Sequence, residues 1–197
     1  MKKLMTLFVA ITAVALVAFK PVAPVTYKVD TQKSEIKWIG KKVTGQHNGT
    51  IKLASGDVLV NGKTLAGGTI VVDMKTLEST DLTGDGKGKL EGHLKADDFF
   101  GTEKYPTATF TATKITPTGA GKANVTGNLV IKGKSSAITF PATYTVSGNT
   151  VTVNAPEVKV NRTVYDIKYG SKSFFASIGD KAIDDDFFLN INLVATR

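Results

Sequence analysis

His47 and His93 are the two imidazoles in a chain that has no cysteine. Nucleophilic catalysis needs a base beside its nucleophile, and no Gly-x-Ser-x-Gly elbow is present to supply the partner. His47 lies in Gly45-Gln46-His47-Asn48-Gly49, which reads as a polar turn or bulge between paired strands. His93 follows Gly92 and has Glu91, Asp97 and Asp98 nearby. An acid–base site or a metal site would need these groups to converge, and their spacing matches no zinc pattern. Asp81-Leu82-Thr83-Gly84-Asp85-Gly86 opens like a calcium loop. It then fails, because position twelve is Gly92 and not a bidentate Glu. Asp184-Asp185-Asp186 reads as a solvated turn before the last strand. The sequons at Asn48, Asn124 and Asn161 arise easily in a threonine-rich chain and take no role. The expectation is no catalytic residue and no metal.

The apolar residues carry a stronger pattern. From Ile138 to Val146 every even position is apolar and every odd one is Thr or Pro. Ala108, Phe110 and Ala112 repeat this period, as do Phe187, Leu189, Ile191 and Leu193. Such alternation marks antiparallel strands with one dry face and one wet face. Turn residues separate the runs at Asn61-Gly62, Gly67-Gly68, Pro117–Gly119, Lys132-Gly133, Ser147–Asn149 and Ile178–Asp180. The spacing predicts one all-β domain, a barrel or a sandwich. Between Gly88 and Asp98, Leu90 and Leu94 recur at helical spacing and the β-branched residues disappear. A short helix is expected there, running into a loop with the adjacent Phe99 and Phe100. Gly92 weakens that helix.

The inward faces carry Trp38, Phe110, Leu129, Ile131, Ile138, Phe140, Tyr144, Leu189, Ile191 and Leu193. Periodicity leaves two outcomes open: these side chains fill a solid core, or they wall a ligand chamber. An eight-stranded barrel is the size at which either occurs.

At 42% hydrophobic and 21% charged residues the composition is that of an ordinary globular protein. The net charge is +8, but there is no Lys/Arg block and no interleaving of basic and exposed aromatic residues. Nucleic acid is therefore excluded as the expected partner. Attraction to an anionic membrane surface stays open, as does pairing of two chains in a homodimer.

Lys2 and Lys3 precede an apolar run from Leu4 to Phe19. This is the architecture of a secretory signal peptide, and the run is shorter than the roughly 20 residues of a membrane span. The reading is a leader at 1–20, a mature domain at 21–197 and a periplasmic or secreted location. Ala18 is small but Leu16 is not, so the cleavage point stays open. An exported domain without disulfides must bury a core large enough to stand alone.

Several blocks, in order, resemble the YceI-like family. Tyr27-Lys-Val-Asp30 with Ser34-Glu-Ile36-Lys-Trp38 is similar to its opening strands, and Gly45–Ile51 to its glycine-bearing second strand. The most specific block is Leu90-Glu-Gly-His93-Leu94-Lys-Ala-Asp97-Asp98-Phe99-Phe100 followed by Tyr105-Pro106 and Phe110. Gly127–Gly133 and Asn161-Arg162…Tyr165-Asp166 match later segments. The resemblance implies an eight-stranded, antiparallel, lipocalin-like barrel with a helix across one opening. It also implies an isoprenoid or quinone-like lipid inside, for carriage, storage or stress protection, and no defined reaction. On that basis Trp38, Leu94, Phe99, Phe100, Phe110, Leu129, Ile131, Ile138, Phe140 and Tyr144 are the expected lining. His93 and Arg162 are the head-group candidates, with Arg162 also expected to pair with Asp166. Two other classes compete: an adhesion sandwich with a solid core, and a lipid-modifying enzyme using His93 and nearby carboxylates.

Overall fold

The computed structural model describes residues 23–197, so the expected leader at 1–20 lies outside the described residues. Nine strand segments form one sheet that closes on itself. They are β1 (Val25–Val29), β2 (Glu35–Lys42), β3 (Gly45–Asn61), β4 (Thr64–Ser79), β5 (Thr107–Gly119), β6 (Lys122–Ile131), β7 (Lys134–Ser147), β8 (Thr150–Asn161) and β9 (Ile183–Thr196). All pairings are antiparallel.

Nine segments make eight staves. β1 and β2 run in the same direction between the same two neighbours, with Tyr27 opposite Val58 and Ile36 opposite Ile51 on β3. Both also pair with β9. The Asp30–Ser34 turn interrupts this stave. The Asp30 carboxylate accepts from the N–H groups of Gln32 and Lys33. Ser34 Oγ accepts from the Val194 N–H at 2.9 Å, so the break is stitched back to β9. The barrel is therefore eight-stranded and antiparallel: alternation predicted the antiparallel strands, and the resemblance implied their closure into eight staves.

One glycine shows how closely the staves approach. A Cβ on Gly49 would lie 1.8 Å from the Glu78 carbonyl oxygen and 2.7 Å from the Trp38 ring. The indole occupies the space a side chain would fill and donates its Nε1–H to that same carbonyl at 3.1 Å. The expected turn at Gly67-Gly68 lies instead inside β4, opposite Leu59 and Val58. That at Pro117–Gly119 lies inside β5, and the hairpin falls at Ala120-Gly121.

The single α-helix among the described residues, α1, spans Gly84–Lys95. It begins four residues before the expected Gly88 and ends three before Asp98. Three early glycines (84, 86 and 88) make this first stretch a poor intrinsic helix, but tertiary contacts hold it. Glu91 accepts from the Ser79 N–H at 2.8 Å, and Lys87 reaches both Glu78 and Glu91. Beyond Lys95 the chain turns sharply: the Phe100 N–H donates to Leu94 O and the Gly101 N–H to Ala96 O, with Gly101 left-handed at φ 58°. That turn throws Phe99 and Phe100 inward, where both are buried.

Candidate functional site

Alternation sends one face of every stave inward, and the inward residues are not all equally packed. Toward the barrel's middle Phe110, Ile138, Phe140, Phe187, Leu189 and Ile191 are only half-buried, although they point away from bulk solvent. The reason is a hollow interior. A cavity of about 270 Å³ lies beneath α1 and a second of about 110 Å³ lies toward the opposite end. On the same measure a single water needs roughly 10–15 Å³. Ile36, Val72, Ala108, Leu129 and Leu189 belong to the walls of both and form a waist between them.

Trp38, Leu94, Phe99, Phe100 and Ile131 line the upper cavity; Phe110, Ile138 and Phe140 line the lower; Leu129 lies at the waist. Tyr144 is the exception: it is buried, but on neither wall. Sequence reasoning missed Met74, Leu77, Val72 and Leu90 of the upper wall. The β4 segment Ile70-Val71-Val72-Asp73-Met74 breaks strict alternation, and register shifts opposite it disturb the inward–outward count.

α1 contributes Leu90, His93 and Leu94 to the upper wall, the i, i+3, i+4 set of one helix face. At this end the aromatics interlock. His93 meets Phe99 edge-on at 5.4 Å between centroids and Tyr169 at 4.4 Å, and Phe99 meets Phe100 at 5.2 Å. His93 Nε2 is buried with no hydrogen-bond partner. An unpaired buried polar atom is costly, and a polar partner at this point would relieve that cost.

Arg162 is 2% exposed. It follows β8 at the start of a 3-10 turn, Arg162–Tyr165, whose Asn161 side chain accepts from the Thr163 N–H. Nε donates to Asp184 O at 2.9 Å, Nη1 to Ile167 O at 2.8 Å and Nη2 to Ile183 O at 3.0 Å. Burial pulls the guanidinium below its ordinary range, opposed by the charges of Asp185 and Asp184. The pairing with Asp166 expected from the sequence does not form. The nearest carboxylate is Asp185 at 3.7 Å, and Asp166 pairs with Lys168 at 2.7 Å. Asp166 ends that turn left-handed at φ 64°, with its side chain exposed. With its donors engaged by carbonyls, Arg162 organises the mouth more than it offers itself to cargo.

His47 is not in a turn. It lies in β3 opposite Gly40, lines the upper cavity, and bonds through Nδ1 to Asp81 Oδ2 at 2.8 Å. Asp81 also accepts from the Asn48 N–H and the Ser79 hydroxyl. Burial opposes its ionisation, but these hydrogen bonds outweigh it and hold the carboxyl at a pKa of about 2. The calcium-like opening is thus a clasp between β3, β4 and α1. Among the described residues no group of three or more His, Asp or Glu side chains could hold a metal ion.

The arrangement can enclose an apolar chain and meet one polar group at the α1 end. No helix among the described residues is long and apolar enough to cross a membrane. A UPF0312 protein of Vibrio campbellii is 34% identical over 103 residues, and the match spans about half the length of each chain. The crystal structure of Burkholderia cenocepacia BcnA is similar at TM-score 0.69 and 26% identity, covering 85% of this chain and 99% of that one. A polyisoprenoid binding domain from Saccharophagus degradans, implicated in plant cell wall breakdown, gives TM-score 0.61 at 15% identity over 86% of this chain and 97% of its own. The family model described as "YceI-like domain" matches residues 27–195, across the whole closed barrel, and the chain belongs to that family.

Proposed function

We propose that the barrel is an exported binding protein, periplasmic or secreted, that holds one isoprenoid or quinone-like lipid with its tail along the two cavities. The observation that carries this reading is the pair of neighbouring apolar chambers that share five wall residues, with a buried, unpaired imidazole nitrogen at one end. The similar Saccharophagus degradans domain, named for polyisoprenoid binding, supports the choice of ligand. A tail with several hundred Å² of apolar surface gains on the order of 10 kcal/mol on leaving water. A bilayer offers the same gain, so exchange between membrane and barrel is close to neutral. That balance suits carriage, storage or protection better than irreversible capture, and it requires transient contact with a membrane surface. Catalysis has less support: His93 stands between aromatic rings, and Asp97 and Asp98 are exposed.

The test is lipid co-purification with Phe140→Asp. Phe140 packs against Phe110 in the lower wall, the rings tilted and their centroids 5.4 Å apart, and a carboxylate there would face the tail without a partner. The variant, folded by circular dichroism, is expected to lose its lipid. Retention of the wild-type lipid would refute the assignment. His93→Ala should keep the tail and lose preference among head groups; an unchanged ligand profile would remove His93 from the site.

A further inference from the structure

Seven large hydrophobic side chains among the described residues are exposed, and their placement is lopsided. Val25 is at one end of the barrel. The other six (Val43, Tyr105, Val164, Tyr169, Phe174 and Phe175) all fall in connections at the α1 end. Phe174 is 49% exposed and its neighbour Phe175 52%. At the opposite end the strands are joined by short hairpins, Asn61–Lys63, Ala120-Gly121 and Gly148-Asn149.

The connection 166–182, which carries three of these six (Tyr169, Phe174 and Phe175), is firmly seated. Ser171 is fully buried, the Ile183 N–H donates to Gly170 O at 2.8 Å, and the Val43 N–H donates to Ala182 O at 3.2 Å. Val43 on the β2–β3 hairpin therefore sits beside this loop. The Phe174 and Phe175 N–H groups both donate to Ser171 O, a turn that presents the two rings outward. Tyr169 touches His93 of the upper cavity wall, so the patch is continuous with the mouth.

Exposed lysines frame it. Lys168 lies 5.0 Å over the Phe174 ring. Lys41, Lys42, Lys172 and Lys181 are exposed and take part in no ion pair among the described residues. Asp180 and Asp184 on the same stretch reduce the local charge. Aromatic residues beside basic ones are the side chains that settle at a membrane interface: rings at headgroup depth, ammonium groups on anionic lipid.

We infer that this rim is a docking surface for an anionic bilayer, which brings the mouth against the lipid from which a tail would pass. The inference rests on the tail-binding reading and adds the partner and the face. Apolar insertion dominates and charge adds to it.

The test is co-sedimentation of the full chain with vesicles of phosphatidylcholine, with and without about 30% phosphatidylglycerol. Wild type should pellet with both and more strongly with the anionic vesicles. Phe174→Ser/Phe175→Ser should lower partitioning about tenfold, whereas Val25→Ser at the far end should leave it unchanged. Lys172→Glu/Lys181→Glu should abolish the preference for anionic vesicles. Failure of wild type to pellet, or equal pelleting of the Phe174→Ser/Phe175→Ser variant, would overturn the docking surface. So would a dimer in sedimentation velocity that the double variant loses, since the patch would then be a self-contact. Trp38 emission, read while a quinone with an isoprenoid tail is added from ethanol, reports loading separately. Quenching without vesicle binding would refute docking and leave the tail reading standing; vesicle binding without quenching would do the reverse.

Discussion

The Arg162 guanidinium carbon lies 5.5 Å over the Phe99 ring while its nitrogens donate to the carbonyls of Ile167, Ile183 and Asp184. One cation thus ties the end of β8, the start of β9 and the turn after α1 into a single frame. A buried charge is tolerated only when its donors are satisfied, and here backbone acceptors do most of that work.

Replacing Arg162 with Met should therefore cost at least about 2–3 kcal/mol of stability, because three carbonyls lose their donor and Asp185 loses the nearby positive charge. Arg162→Lys should recover only part of it, since an ammonium cannot reproduce the planar fork. Urea denaturation midpoints read the difference; a Met variant as stable as wild type would remove Arg162 from its organising role.

Asp81 makes stability depend on acid. Its carboxyl stands at about 2 in the folded protein against 3.8 for an unperturbed aspartate, so the stabilisation is present above the unfolded value and fades as pH falls through the folded one. Wild type should lose stability between roughly pH 4 and pH 2. Asp81→Asn should start less stable at neutral pH and change less across that window. Parallel curves for the two proteins would contradict the clasp.

Two glycines should respond oppositely to alanine. At Gly49 the new methyl would strike the Glu78 carbonyl and the Trp38 ring; a loss of about 3 kcal/mol or more is expected from overpacking against backbone, with altered Trp38 emission. At Gly88 nothing lies within 4 Å; alanine there should stabilise α1 by about 0.5–1 kcal/mol. Thermal melts distinguish them, and a neutral Gly49→Ala would mean that the indole is not held where it is described.

Ala108 is the smallest side chain of the waist and belongs to both cavity walls. Ala108→Phe should block passage between the chambers at a cost of about 1–3 kcal/mol in stability. In titrations with tails of graded length the variant should still take short ones and reject long ones. Equal binding of all lengths would show that the tail does not cross the waist.

Strand faces and the helix were legible in the sequence because period-two alternation, turn residues and the helical spacing of Leu90 and Leu94 report them directly; closure into a barrel came from the resemblance, since alternation alone fits a sandwich as well. The split stave was not: β1 and β2 look like two strands until β3 and β9 pair with both. Helix limits were missed where glycine propensity and tertiary anchoring by Glu91 disagree, and anchoring won. Residue spacing could identify inward side chains, but not that Phe140 walls a void while Tyr144, four residues on, packs into solid core. Arg162 was found, yet its acceptors are carbonyls, which have no sequence signal.

Native mass spectrometry of the protein purified without detergent, then titrated with a polyisoprenoid lipid, tests the hollow barrel most directly. One lipid per chain is predicted, lost in Phe140→Asp and confined to shorter tails in Ala108→Phe. A bare chain at every lipid concentration would contradict the account.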